Sequence, residues 1–227
     1  MRERQIADGY KLLVQSYRAF MSNFWANLWL GSLMVLPFTL MSWLYYQTYF
    51  PNVVVGLITG TIAAFLIFSV SSIALILHTH KVASGYMEGV LVTFFDSFDK
   101  LLAYWWLGFL TLLLVIGGFL FLIIPGAIIA IRLSLGWYVL IAENKRGLDA
   151  IVRSGNLVRR HTFAVLIRWI IPYLPLVALS LAGYFLKPLA PTMYEVVYTA
   201  LNVFTLPFVT IYGYFLYKEL AFNSSLI

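Results

Sequence analysis

A single arginine, Arg132, stands inside an apolar run, seven residues after Pro125 and eleven before Glu143. A guanidinium there keeps its charge and offers five N–H donors. It either grips a phosphate or carboxylate or bonds backbone carbonyls freed by nearby helix breaks. A second concentration of charge follows in Lys145, Arg146, Arg153, Arg159 and Arg160. Five basic groups of this kind suit anionic lipid, at about 1 kcal/mol of attraction each; the competing reading is that they only mark topology. His78, His80, Asp96 and Asp99 are the remaining groups able to act as acid, base or ligand. The two histidines, two residues apart, point to different faces of a helix, and His161 joins them only through tertiary contact, so no metal site is expected. Asp96 and Asp99 share a helical face but lack the Gly, Ala and Arg that accompany the aspartates of lipid phosphotransferases. No Gly-x-Ser-x-Gly, His-Glu-x-x-His or phosphate-loop pattern occurs. The absence of cysteine excludes disulfides, thiolate metal sites and a cysteine nucleophile. Neither an enzyme nor a cofactor has a positive sign in these residues.

What must position these groups is a membrane-embedded frame. The chain has 227 residues, 62% hydrophobic and only 11% charged, far from the roughly 25% charged composition of soluble domains. In lipid a helix satisfies its own backbone, and about 20 apolar residues cross the hydrocarbon core. Six stretches qualify: Phe24–Tyr46, Val53–Leu77, Leu102–Ile124, Gly126–Ala142, Phe163–Leu186 and Tyr194–Tyr217. Turn formers separate them at Phe50-Pro51-Asn52, Ile124-Pro125-Gly126 and Lys187-Pro188 through Pro191. Pro37, Pro172, Pro175 and Pro207 fall within spans, where each frees a backbone carbonyl and either sets helix curvature or, as in transporters, offers an ion a ligand. Gly56, Gly60 and Ala64 form a small face suited to close helix packing. The expected fold is all-α, a single integral membrane domain over residues 1–227.

Twelve basic residues fall on one side of this layout and only Lys187 on the other. Short loops rich in Lys and Arg resist translocation, so both termini are expected in the cytoplasm, with the first span an uncleaved anchor. Trp25, Trp29, Tyr104, Trp105 and Trp106 then lie near the inner boundary, and Trp43, Tyr45, Tyr46 and Tyr49 near the outer. Arg132 sits roughly 10 Å below the outer boundary and roughly 16 Å along the axis from Glu143, too far to pair with it. A charge at such depth costs at least ~2.5–3.5 kcal/mol. Arg168, nearer the inner boundary, is expected to snorkel to it.

Each cytoplasmic stretch before an odd-numbered span has helical periodicity. Ile6, Tyr10, Leu13, Val14, Tyr17 and Met21 share a face opposite Arg4, Asp8, Lys11, Gln15 and Arg18. Met87, Val90, Leu91, Phe94, Phe95, Phe98, Leu101 and Leu102 recur at three- and four-residue steps. Leu148, Ile151, Val152, Gly155 and Val158 oppose Asp149, Arg153, Asn156 and Arg160. These read as three interfacial amphipathic helices, each leading into a transmembrane hairpin. A shift of 138 residues matches Gly9/Gly147, Ser16/Ser154, Pro37/Pro175 and Ser42/Ser180, and a shift of 80 puts Asp96 at the serine position. The chain therefore reads as a threefold parallel repeat, units about 4–79, 82–143 and 147–218.

Ile131-Arg132-Leu133-Ser134-Leu135, then Val139 through Glu143, then Gly147-Leu148-Asp149-Ala150-Ile151-Val152-Arg153-Ser154 and Arg159-Arg160-His161 carry a resemblance. The run resembles the membrane domain fused to some glycerophosphoryl diester phosphodiesterases, and related six-span bacterial inner-membrane proteins. The likeness covers about Arg132 to Trp169; Gly155 replaces the usual bulky aromatic, and the usual proline before the Glu is missing. Its motif residues here are Arg132, Glu143, Gly147, Ala150 and Ser154. It implies a module of the bacterial cytoplasmic membrane; the hydrolase chemistry of those proteins belongs to a separate soluble domain.

The expected role is non-enzymatic: contact with anionic phospholipid or a membrane-protein partner through the basic inner face, and no nucleic acid, because the charge is split among short juxtamembrane segments. A transporter or channel for an anionic or amphiphilic solute, with Arg132 on the path, is the rival. A lipid-modifying enzyme using Asp96, Asp99 and His78 is the third reading. The orientation has its own test: a periplasm-active reporter fused after Lys187 is expected to be active, and one fused after Arg146 silent.

Overall fold

Backbone hydrogen bonding within single helices accounts for nearly all of the structure. The computed structural model describes residues 9–46, 53–86, 88–186, 188 and 190–224, with no strand among the described residues. Arg2, Arg4, Ile6, Asp8, Tyr49, the Phe50-Pro51-Asn52 turn, Met87 and Lys187 lie outside them, as do the side chains of Trp43, Tyr45 and Tyr46.

In chain order the helices are α1 (Gly9–Ser22), α2 (Phe24–Tyr46), α3 (Val53–Ala83), α4 (Val90–Asp96), α5 (Leu101–Phe121), α6 (Ile123–Leu133), α7 (Gly136–Ala142), α8 (Leu148–Val158), α9 (Thr162–Ile170), α10 (Leu174–Leu186) and α11 (Pro191–Ser224). Six helical runs are long and apolar enough to cross a membrane: α2, α3, α4 with α5, α6 with α7, α9 with α10, and α11. The chain is a multi-pass membrane protein.

The breaks follow local chemistry. Leu122 is extended, and α6 begins directly after it, with Pro125 in its first turn, where a missing N–H costs nothing. The turn between the third and fourth spans thus precedes the proline instead of including it. The fourth span breaks again at Ser134-Leu135, away from any proline. In the fifth, Pro172 lies in a 3-10 turn at Ile171–Tyr173 and Pro175 in the first turn of α10. Pro37 and Pro207 lie inside unbroken helices.

α3 and α11 form the centre. Ile73 and Ile76 of α3 share one core with Tyr212 and Leu216 of α11 and Tyr138, Val139 and Leu140 of α7, while Leu75 and Ile211 share a second with Phe20 of α1 and Leu30 and Met34 of α2. α2 crosses α11 at Gly31, where a Cβ would lie 2.6 Å from both Pro207 Cγ and the Val203 carbonyl oxygen. That carbonyl is four residues before the proline, so it has lost its helical N–H partner. The glycine lets the second backbone cover it. Gly60 of α3 meets the flexible Met41 of α2, and Ala64 is buried one turn on.

Burial is concentrated at the end where Lys81, Lys100, Glu143 and Lys218 lie, called here the basic end. The opposite end is open: Leu120, Phe121 and Ile124 are 81%, 85% and 73% exposed, which in a membrane means lipid-facing. Gly31→Val is expected to cost about 1–3 kcal/mol of overpacking strain and to lower the thermal midpoint of the detergent-solubilised protein. Gly60→Ala should cost less, because methionine repacks readily.

Candidate functional site

Where the fourth span ends, α7 stops at Ala142 and the chain reverses through Asn144 and Gly147, both at φ 54°. Gly147 combines that φ with ψ −125°, a conformation available to glycine and strained for other residues. It also seats the turn against Trp106. The reversal lays α8 back across α5, α6 and α7. Lys100 holds it from the other side by donating to Asn144 Oδ1 at 3.1 Å.

Glu143 is the hub of this region. Its carboxylate accepts from Lys145 Nζ at 2.8 Å, Arg153 Nε at 3.1 Å and the Tyr217 hydroxyl of α11 at 3.0 Å. Burial pushes the carboxyl upward, but the bonds from Lys145, Arg153 and Tyr217 outweigh it and hold the group below its ordinary range. One acidic side chain ties the fourth span to α8 and to the sixth span.

A second tie closes the break in the fourth span. Interrupting the helix at Ser134-Leu135 frees carbonyls inside an apolar span, and Ser154 Oγ donates to the Arg132 carbonyl oxygen at 2.8 Å. Ser134 Oγ donates back to the Ile131 carbonyl and accepts from Trp169 Nε1 at 3.1 Å. Ala150 packs on the same side of α8 with no exposure. All five motif residues are thus engaged in one joint, Arg132 through its main chain.

The Arg132 side chain stands near the middle of the fourth span, Ile123–Ala142. It is half-buried in the last turn of α6, where the carbonyls that end that helix favour a cation. Its Nε is buried, and the side chain makes no hydrogen bond among the described residues. Arg168 corrects the sequence reading. It does not snorkel but is buried, 3.7 Å from Glu219 of α11 and near the buried Tyr212. Nothing in the local sequence signalled this pair, because Glu219 lies 51 residues away.

The five basic residues divide. Lys145 and Arg153 are committed to Glu143, while Arg146, Arg159 and Arg160 are exposed. The amphipathic faces also divide. In α8, Ala150, Ile151, Ser154, Leu157 and Val158 are buried against the protein, whereas Leu148 and Val152 are 63% and 59% exposed. In α1 the buried stripe is Leu12, Ser16 and Phe20, with Tyr10, Tyr17 and Met21 outside. In the second segment Thr93 and Ser97 are buried, while Leu91, Phe95, Phe98 and Leu102 face outward. Helical periodicity alone does not separate a face toward lipid from one toward protein.

The remaining candidates do not converge. Lys81 binds both Glu88 and Asp96, and Asp99 is exposed. His78 lines a cavity of about 40 Å³ with Asn23, Asn27 and Thr79, and no hydrogen bond or ion pair joins it to either aspartate among the described residues. His80 Nδ1 lies 3.0 Å from the Tyr214 hydroxyl. No group of three potential metal ligands occurs among the described residues.

Comparison with protein-family models, characterised proteins and solved structures gives no match.

Removing one partner of a buried hydrogen bond costs about 1–3 kcal/mol, so Ser154→Ala should lower the thermal midpoint through the uncapped Arg132 carbonyl. Glu143→Gln should also destabilise. Because the folded-state pKa is depressed, the Glu143 contribution is complete above the ordinary glutamate range, near about 4.3, and is lost as pH falls through the lower folded value. The gap between wild-type and Glu143→Gln midpoints should therefore shrink on acidification.

Proposed function

We propose that this is a non-enzymatic module of a bacterial cytoplasmic membrane whose α8 surface contacts anionic phospholipid. One observation carries the reading: the outward side of α8, taken with the turns that flank it and the first turn of α9, is two-faced. Arg146, Arg159 and Arg160 are exposed and form no ion pair among the described residues. Beside them Leu148, Val152 and Phe163 expose apolar surface at 63%, 59% and 79%. A helix edge with cations next to bare aliphatic and aromatic side chains suits the boundary between headgroups and acyl chains. Asp149 and Asn156 are also exposed on this helix and moderate its charge without cancelling it.

In this reading both termini are cytoplasmic, because the twelve basic residues at that end resist translocation. The resemblance to the phosphodiesterase-linked membrane domains supports the same compartment. The threefold repeat also belongs to it. Ser16, Ser97 and Ser154 are all fully buried, each donating to a main-chain carbonyl: Leu12, Thr93 and Arg132 respectively. Leu12 and Phe20 stand 138 residues before the buried Ala150 and Val158. The middle unit aligns through Ser97, one residue beyond the Asp96 register, since Asp96 is exposed and paired with Lys81.

The test is lipid retention. Replacing Arg146, Arg159 and Arg160 together with Gln is expected to weaken retention of phosphatidylglycerol in native mass spectrometry, by about 1 kcal/mol per charge removed. Unchanged retention by a folded triple variant would reject the role.

A further inference from the structure

At the basic end a second, separate opening lies between α1, the last turn of α3 and the last turns of α11. It encloses about 710 Å³, within the roughly 300–1,000 Å³ range of small-molecule sites. Two basic side chains line it, Arg18 of α1 and Lys218 of α11. Arg18 forms no ion pair among the described residues, and Lys218 donates only to the Ala83 carbonyl, at a long 3.4 Å. The carboxylate in the wall, Glu219, lies against the Arg168 guanidinium, and Glu143 behind Tyr217 is held by Lys145 and Arg153. The positive charge of Arg18 and Lys218 is therefore not cancelled from within the cleft.

His80 also lines the cleft. Its Nδ1 faces the Tyr214 hydroxyl at 3.0 Å, and if that hydroxyl donates, the imidazole carries its proton on Nε2 as a further donor. Phe215 and Phe222 complete the lining with apolar surface. Two fixed cations, a ring N–H donor and aromatic walls select for a ligand with a compact double negative charge and an organic remainder. A carboxylate carries one charge, and a phosphodiester also one. A phosphate monoester carries nearly two at neutral pH and presents three acceptor oxygens.

We propose that the cleft between α1, α3 and α11 binds a phosphate monoester, with Arg18 and Lys218 on the phosphate oxygens, His80 as an additional donor, and Phe215 and Phe222 against the organic part. The monoester belongs either to a lipid headgroup, as in phosphatidic acid, or to a soluble metabolite. The site shares no residue with the outward surface of α8 and stands or falls independently of it.

The test uses the full chain in phosphatidylcholine nanodiscs, with phosphatidic acid and glycerol phosphate as separate probes. Saturable binding of at least one is expected, with Arg18→Gln and Lys218→Gln each weakening it about fivefold, the size of effect for one basic group at a membrane surface. Both side chains are exposed, so folding should survive. Ser84→Trp obstructs part of the cleft while leaving both charges, and should weaken the same binding. The triple Gln variant at Arg146, Arg159 and Arg160 should leave it unchanged. Binding of glycerol phosphate with this variant pattern assigns a soluble ligand, and binding of phosphatidic acid alone assigns a headgroup. The proposal is overturned if neither probe binds saturably, if the Arg18 and Lys218 variants bind as wild type, or if Ser84→Trp has no effect, which would reduce the attraction to diffuse surface charge.

Discussion

Inside a bilayer a carbonyl without a hydrogen-bond donor has no water to turn to, and this chain interrupts its helices repeatedly. At three places a neighbouring group covers a freed carbonyl. At the Asn23 turn between α1 and α2, Asn27 Nδ2 donates to the Phe20 carbonyl at 3.0 Å. At the break between α6 and α7, Ser154 reaches across 22 residues of sequence to the Arg132 carbonyl. At Pro207, inside the continuous α11, the Val203 carbonyl that lacks its helical N–H partner lies against the Gly31 backbone. The closures decide which elements must touch: α8 is fixed to the fourth span because a carbonyl there needs its serine, and α2 to the sixth because no side chain fits between them.

The spans were legible because their signal is local. About 20 apolar residues bounded by turn formers read the same whatever they pack against, and α2 matches its expected limits at both ends. α3 and α11 run past theirs, to Ala83 and Ser224, because polar residues at a packed basic end remain helical once their side chains have partners. Ser154 and Glu143 stood out in the sequence as parts of a motif, and their positions were legible. Their partners were not. Tyr217 is 74 residues from Glu143, and no periodicity encodes such a contact.

The same limit explains the divided amphipathic helices. Leu148, Ile151, Val152 and Val158 are all apolar, and spacing assigns them to one broad face. In the folded chain Ile151 and Val158 meet protein, while Leu148 and Val152 meet the surroundings. Hydrophobicity registers only withdrawal from water, and lipid and protein interior are equal in that respect. Small residues mark the difference better: Ser16, Ala150 and Ser154 sit where helices approach closely.

The uneven burial along the bundle also sets how the molecule comes apart. Opening free energies within one protein range from near zero to the global value, following local contact density. Beyond the close contact of Gly118 with Gly126, the tip Leu120–Ile124 between α5 and α6 is largely bare of protein, and fluctuations there disrupt little except helix ends. The basic end, where α1, α3, α7, α8 and α11 share one core and the Glu143 hub, must open together or not at all. Amide protons near Tyr138, Ile151 and Tyr212 belong to that last cooperative unit, so the part of the chain holding its charged groups is also its slowest to exchange.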